Sequence, residues 1–163
     1  MAFKISVERN ALRFSAAHFA TFGAEAEPLH GHNYDVTVEI EGALSEDGWV
    51  LDFSVAKKLA AGLCERLDHR FILPLENRLL AISETEQSWE IGFGARRYAI
   101  PKDDVCALPI SNSTAEQLAQ WFCSLIQAEL LAIKAVNITS ITVGVEEAPG
   151  QSGWYTAMIA HSG

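Results

Sequence analysis

The amino-acid sequence predicts an α+β domain in which helices pack on one face of an antiparallel sheet. Three observations carry that prediction. Apolar and polar residues alternate with a period of two through 31–42, and strand-like text also fills 3–17, as expected of strands with one buried face. Two stretches, 54–67 and 113–133, instead repeat their apolar residues at helical spacing. Residues 138–147 and 154–160 then close the chain as two further strands. At 163 residues the chain is long enough for one domain with a sizeable core and too short for two ordinary ones, so a single domain over 1–163 is expected.

Each element has a local reason. In the second strand Tyr34, Val36, Val38 and Ile40 share one face, while Asp35, Thr37, Glu39 and Glu41 share the other. Ser45-Glu46-Asp47-Gly48 reads as a turn and Trp49-Val50-Leu51 as a short strand extension, which together with the first strands suggests a hairpin. Val55, Leu59, Leu63 and Leu67 recur every four residues behind a capping Asp52 or Ser54, and this helix delivers Asp68-His69 at its C-terminal end. Between Pro74 and Pro109 the text changes: 89–93 and 96–100 read as two short strands around Gly94-Ala95, an inserted hairpin within a segment of about 76–110. Ser113 with Glu116 forms a capping-box pattern ahead of the second helix, whose apolar residues include Leu118, Trp121, Phe122, Leu125, Leu130 and Ile133.

Composition narrows the partners. A net charge of −9 argues against a nucleic-acid or anionic-membrane surface, leaving a small molecule or another copy of the chain. Cys64, Cys106 and Cys123 are odd in number and widely spaced, which fits reduced thiols and a cytoplasmic protein. Charges interrupt every apolar stretch of 1–13, so no signal peptide is expected, and no run is long enough to span a membrane.

Chemistry concentrates on histidine. His30 and His32 project from the same side of one strand with Gly31 between them, and hairpin pairing across 19–29 would bring His18 alongside. Neutral imidazole suits zinc, and three histidines leave a fourth position open, the catalytic rather than the structural pattern.

Six segments in order resemble the 6-pyruvoyl-tetrahydropterin synthase and 6-carboxy-tetrahydropterin synthase family. They are Phe14-Ser15-Ala16-Ala17-His18, His30-Gly31-His32-Asn33-Tyr34, Leu51-Asp52-Phe53, Leu67-Asp68-His69, Ser113-Thr114-Ala115-Glu116 and Val145-Glu146-Glu147. The resemblance implies a T-fold, a four-stranded antiparallel sheet with two helices on one side, and a homo-oligomer, trimer or hexamer, with active sites between subunits. It also implies a zinc-dependent lyase acting on 7,8-dihydroneopterin triphosphate, with His18, His30 and His32 as the metal ligands.

Two further roles follow from the same resemblance. Asp68 and His69 match a proton-relay pair, although a helix C-cap explains them too. Glu147 matches the carboxylate that anchors the pterin ring through two oxygens, and it shares a strand face with Val143 and Val145 while Glu146 points away. Asp52 matches a recurrent aspartate but is equally explained as a helix N-cap.

The sequence departs from the family at one place. The usual cysteine ahead of His-Gly-His is absent from Glu25-Ala26-Glu27-Pro28-Leu29, with Ala26 nearest to its position. Glu27 resembles the glutamate of variant members that release 6-hydroxymethyl-dihydropterin, and it also reads as an exposed loop glutamate. Three functions therefore stand as expectations. The first is a zinc-dependent pterin lyase with Glu27 as base. The second is a 6-carboxy- or 6-pyruvoyl-tetrahydropterin synthase using another base. The third is a zinc- and pterin-binding paralogue without turnover.

Overall fold

The computed structural model describes residues 2–160. Two long strands, β1 (Phe3–His18) and β4 (His30–Gly42), pair antiparallel and form the centre of the sheet. Between them lies a small ribbon of β2 (Thr21–Phe22) and β3 (Glu25–Ala26). Then follow α1 (Phe53–Leu67), β5 (Arg70–Pro74), β6 (Ala81–Glu84), β7 (Ser88–Phe93), β8 (Arg96–Pro101), β9 (Val105–Leu108), α2 (Ala115–Ala132), β10 (Ile138–Ala148) and β11 (Gln151–Met158).

The strand order β11-β10-β4-β1 is the expected four-stranded antiparallel sheet, and two parallel strands, β5 and β9, extend it beyond β1. The extension has a packing reason. Phe71, Ile72 and Leu73 are buried, and pairing beside β1 places their backbone groups in a ladder while their side chains leave water. Residues 76–110 likewise hold more than a hairpin: β6, β7 and β8 make a separate three-stranded sheet, and β9 returns to the main one. Cys106 therefore sits on a main-sheet strand.

The core is the face that alternation predicts. Tyr34, Val36, Val38 and Ile40 of β4 are buried against residues of both helices, among them Ala60, Leu67, Leu118 and Phe122. A second apolar cluster, built on Phe19, Phe71, Leu73, Leu80 and Ile91, joins the three-stranded sheet to the main body.

Helix termini show where local reading held. Asp52 caps α1, its side chain accepting the Ser54 N–H at 2.7 Å. The cap of α2 is Thr114, whose hydroxyl accepts the Gln117 N–H, so the expected Ser113–Glu116 box is displaced by one residue. Ser113 is instead drawn inward by a histidine. Ile133 lies just beyond α2, as its C-cap. Residues 49–51 form no strand; a Ser45 N–H to Trp49 carbonyl bond of 2.8 Å closes a turn there.

Candidate metal centre and active site

The β1–β4 hairpin assembles the histidines. His18 pairs directly with His30 and Ala16 with His32, so all three imidazoles leave the same face at the end of the hairpin. Gly31 is needed for this approach, because a Cβ there would lie 2.9 Å from the Ala16 carbonyl oxygen. Ring centroids are 4.7 Å (His18–His30), 4.8 Å (His30–His32) and 5.3 Å (His18–His32) apart. One nitrogen from each ring lies within 4.8 Å of the others.

Neighbouring groups orient those nitrogens. His18 Nδ1 lies 2.8 Å from the Ser113 carbonyl oxygen, and His30 Nδ1 lies 2.8 Å from that of Pro28. A carbonyl only accepts, so each Nδ1 carries the proton and each Nε2 presents a lone pair. His18 Nε2 and His32 Nε2 are buried with no hydrogen-bond partner among the described residues. Buried ring nitrogens rarely stay unpaired, and a metal ion at their common focus would satisfy them. Burial also lowers the His18 pKa, which favours the neutral, ligating imidazole. The donor set thus fits zinc.

Two carboxylates flank the cluster. Glu27 Oε2 lies 3.9 Å from His30 Nε2, and Glu147 Oε1 lies 3.8 Å from His32 Nε2. Both line, with His18, Thr114, Glu116 and Gly153, a cavity of about 280 Å³. The Ala20 N–H donates to Glu27 Oε2 at 2.9 Å, which fixes the carboxylate's orientation. Among the described residues no cysteine lines this cavity. Cys64 and Cys123 are buried in the helices, and burial pushes the Cys64 thiol up to about 12.

Asp68 and His69 do form a pair, with His69 Nδ1 2.9 Å from Asp68 Oδ2. Ser15 holds both: its N–H donates to Asp68 Oδ1 at 2.7 Å, and its carbonyl accepts the His69 N–H at 2.7 Å. The backbone of His69 is left-handed, φ 57°, as at many helix ends. His69 lines a different cavity, of about 620 Å³, with Ser15, Ala17, Gly31 and Asn33. Those four positions alternate along the hairpin with the three histidines, and His32 itself also borders this cavity. Within one chain His69 thus shares a cavity with His32 but does not line the one formed by His18, Glu27 and Glu147.

Three participants were not read from sequence. Ser113 holds His18, Arg96 donates to the carbonyls of Ala26 and Glu27, and the Tyr34 ring stands edge-on to His18 and His32. For Ser113 the only signal was a capping pattern, which pointed to the adjacent helix.

A T-fold sheet carrying an imidazole triad and two carboxylates at one strand end defines a protein of the pterin synthase and lyase class. The family described as 6-pyruvoyl tetrahydropterin synthase matches residues 5–158. A Methanocaldococcus jannaschii relative, provisionally named a 6-carboxy-5,6,7,8-tetrahydropterin synthase, is 34% identical over 145 residues, covering 88% of this chain and 89% of its own. A Pyrococcus furiosus dihydroneopterin monophosphate aldolase is 39% identical over 77 residues, 44% of this chain and 66% of its own. The crystal structure of a Plasmodium vivax 6-pyruvoyl tetrahydropterin synthase superposes with a TM-score of 0.91 at 32% identity, over 98% of this chain and 99% of that one. A variant of that protein, with glutamate changed to alanine at what is described as a catalytic residue, gives a TM-score of 0.91 at 31% identity, with the same coverage. The chain belongs to the 6-pyruvoyl tetrahydropterin synthase family.

Proposed function

We propose that this protein is a zinc-dependent pterin lyase that acts on 7,8-dihydroneopterin or its triphosphate and releases 6-hydroxymethyl-dihydropterin, with Glu27 as the base. The observation that carries the reading is the position of Glu27: its carboxylate is oriented by the Ala20 N–H and stands 3.9 Å from the ligand nitrogen of His30. Two relatives support it, one described as having a catalytic glutamate and one named an aldolase.

His18, His30 and His32 hold the zinc, which when bound supplies Lewis acidity that lowers the pKa of a substrate hydroxyl. Glu147 anchors the pterin ring by accepting its N–H groups with two oxygens. Glu27 takes the proton from the hydroxyl on the second side-chain carbon. The bond between the first and second carbons breaks, its electron pair passes into the ring system, and an aldehyde fragment leaves. Protonation of the first carbon then gives the hydroxymethyl product. His69, oriented by Asp68, is the proton donor, contributed by a neighbouring copy of the chain; its absence from the cavity lined by Glu27 and Glu147 supports that assignment. A homo-oligomer, trimer or hexamer, is therefore the working form.

A second reading is 6-carboxy-tetrahydropterin synthesis, favoured by the name of a relative that matches most of the chain. Product masses separate the two when zinc-loaded protein is incubated with dihydroneopterin, its monophosphate and its triphosphate. Formation of 6-hydroxymethyl-dihydropterin, lost in Glu27→Gln, supports the lyase. A 6-carboxy product sinks it, and binding without turnover identifies a non-catalytic paralogue.

A further inference from the structure

Glu27 stands on a segment with little internal support. Its ribbon pairs only Thr21 with Ala26 and Phe22 with Glu25, around a Gly23 at φ +58°. A ribbon this short does not persist in water by itself. Two bonds tie its ends, Glu27 N–H to the Ala20 carbonyl at 3.0 Å and Ala20 N–H to the Glu27 carboxylate at 2.9 Å. Neither reaches the rest of the molecule.

On the β2 side, Asn112 accepts the Thr21 N–H at 3.0 Å and donates to the Thr21 carbonyl at 2.7 Å, and Asn77 donates to the Thr21 hydroxyl at 2.8 Å. On the β3 side, which leads into Glu27, the three-stranded sheet supplies the attachment. Arg96 follows the β7–β8 turn, where Gly94 takes φ +56°, and its guanidinium lies 5.1 Å from the Phe93 ring centroid. From there Nη1 donates to the Glu27 carbonyl and Nη2 to the Ala26 carbonyl, each at 2.7 Å. The planar fork matches two successive carbonyls, which a lysine ammonium cannot do at once. On the other side of the segment, Phe19 lies 5.3 Å from the Tyr98 ring, and Ala26 packs against the same apolar cluster.

We infer that Arg96 is a positioning residue for Glu27, and that the sheet of β6, β7 and β8 serves as the scaffold holding the reactive carboxylate at the histidine cavity. The inference rests on the reading of Glu27 as the base. Misplacing a reacting group by about 1 Å costs on the order of 100-fold in rate, so the two carbonyl bonds can decide turnover without touching substrate.

The test uses the zinc-loaded full chain with Arg96→Ala and Arg96→Lys, alone and combined with Glu27→Gln. The expected result for Arg96→Ala is a fall in kcat of about 10- to 100-fold, with KM and zinc content within about two-fold of wild type. Amides of residues 20–27 should exchange faster with solvent, and added guanidinium ion should restore part of the rate. Arg96→Lys should fall between the two. In the Glu27→Gln background the same change should cost less than about two-fold, because the group it positions is gone.

Wild-type turnover in Arg96→Ala beside an inactive Glu27→Gln overturns the inference. Equal losses in both backgrounds do the same, as does loss of zinc and of the folded state in both Arg96 variants, since each assigns Arg96 to the fold alone. Wild-type turnover in Glu27→Gln is a separate failure, that of the base itself, and it is read without any Arg96 variant.

Discussion

The Nδ1 nitrogen of His18 lies 2.8 Å from the carbonyl oxygen of Ser113, a residue 95 positions away that precedes the second helix. This bond sets the tautomer of the most buried of the three histidines and turns its Nε2 toward His30 and His32. The Ser113 hydroxyl adds a second contact at 3.2 Å to the same nitrogen and also donates to the Phe19 carbonyl at 3.2 Å. Because the main acceptor is backbone, Ser113→Ala should weaken zinc binding by less than about ten-fold, the low end for groups that orient metal ligands. His18→Ala should abolish stoichiometric zinc. Competition with a chelator of known affinity checks both, and a Ser113→Ala loss as large as that of His18→Ala would refute the ordering.

Glu27→Gln keeps the shape of the side chain and removes its basicity. The expected outcome is a fall in kcat of at least about 100-fold with zinc content intact. Steady-state rates beside metal analysis decide it. A variant that loses rate only in proportion to zinc would show Glu27 to be a support for the metal.

Glu147 should govern binding more than chemistry. Glu147→Gln leaves one acceptor oxygen where the proposed ring contact needs two, and the pterin dissociation constant should rise by about 10- to 100-fold. Fluorescence titration of a pterin onto the zinc-loaded variant measures this, with unchanged affinity as the contrary result.

The Asp68 carboxyl is held below the usual carboxylate range, first by the Ser15 N–H and next by the His69 side chain. A depressed carboxyl contributes stability that is complete above its unfolded value, near pH 4, and is lost as pH falls through the lower folded value. Metal-free wild type should therefore lose thermal stability more steeply below about pH 4 than Asp68→Asn does. Parallel melting curves from about pH 5 to about pH 2 test the difference, and equal slopes would remove Asp68 from the account.

Gly153 of β11 passes so close to α2 that an added Cβ would lie 2.4 Å from the Glu116 backbone nitrogen. Backbone cannot yield as a side chain can, so Gly153→Ala should destabilise the fold by about 1–3 kcal/mol. Urea unfolding at constant m-value measures it. A neutral result would mean that β11 shifts freely at the cavity wall.

Much of the site was legible because it depends on short-range geometry. Period-two alternation alone puts His30 and His32 on one side of β4 and Glu147 on the side opposite Glu146. The run from Val55 to Leu67 likewise implies a helix ending at Asp68. Where local signals competed, reading failed: Ser113 and Thr114 both suit a helix cap, and only the pull of the His18 imidazole on Ser113 leaves the cap to Thr114.

By itself the sequence determined the histidine cluster, the two-helix antiparallel core and the family, since all three follow from local periodicity and from motifs in order. Tertiary structure alone decided which distant groups serve the site. Arg96 meets Glu27 across 69 positions through a backbone carbonyl. Every residue carries such an acceptor, so no residue type marks it in advance. The parallel addition of β5 and β9, and the bonding of Asp68 and His69 to the Ser15 backbone of β1, were decided the same way. Both depend on pairing between remote segments, which local periodicity does not encode.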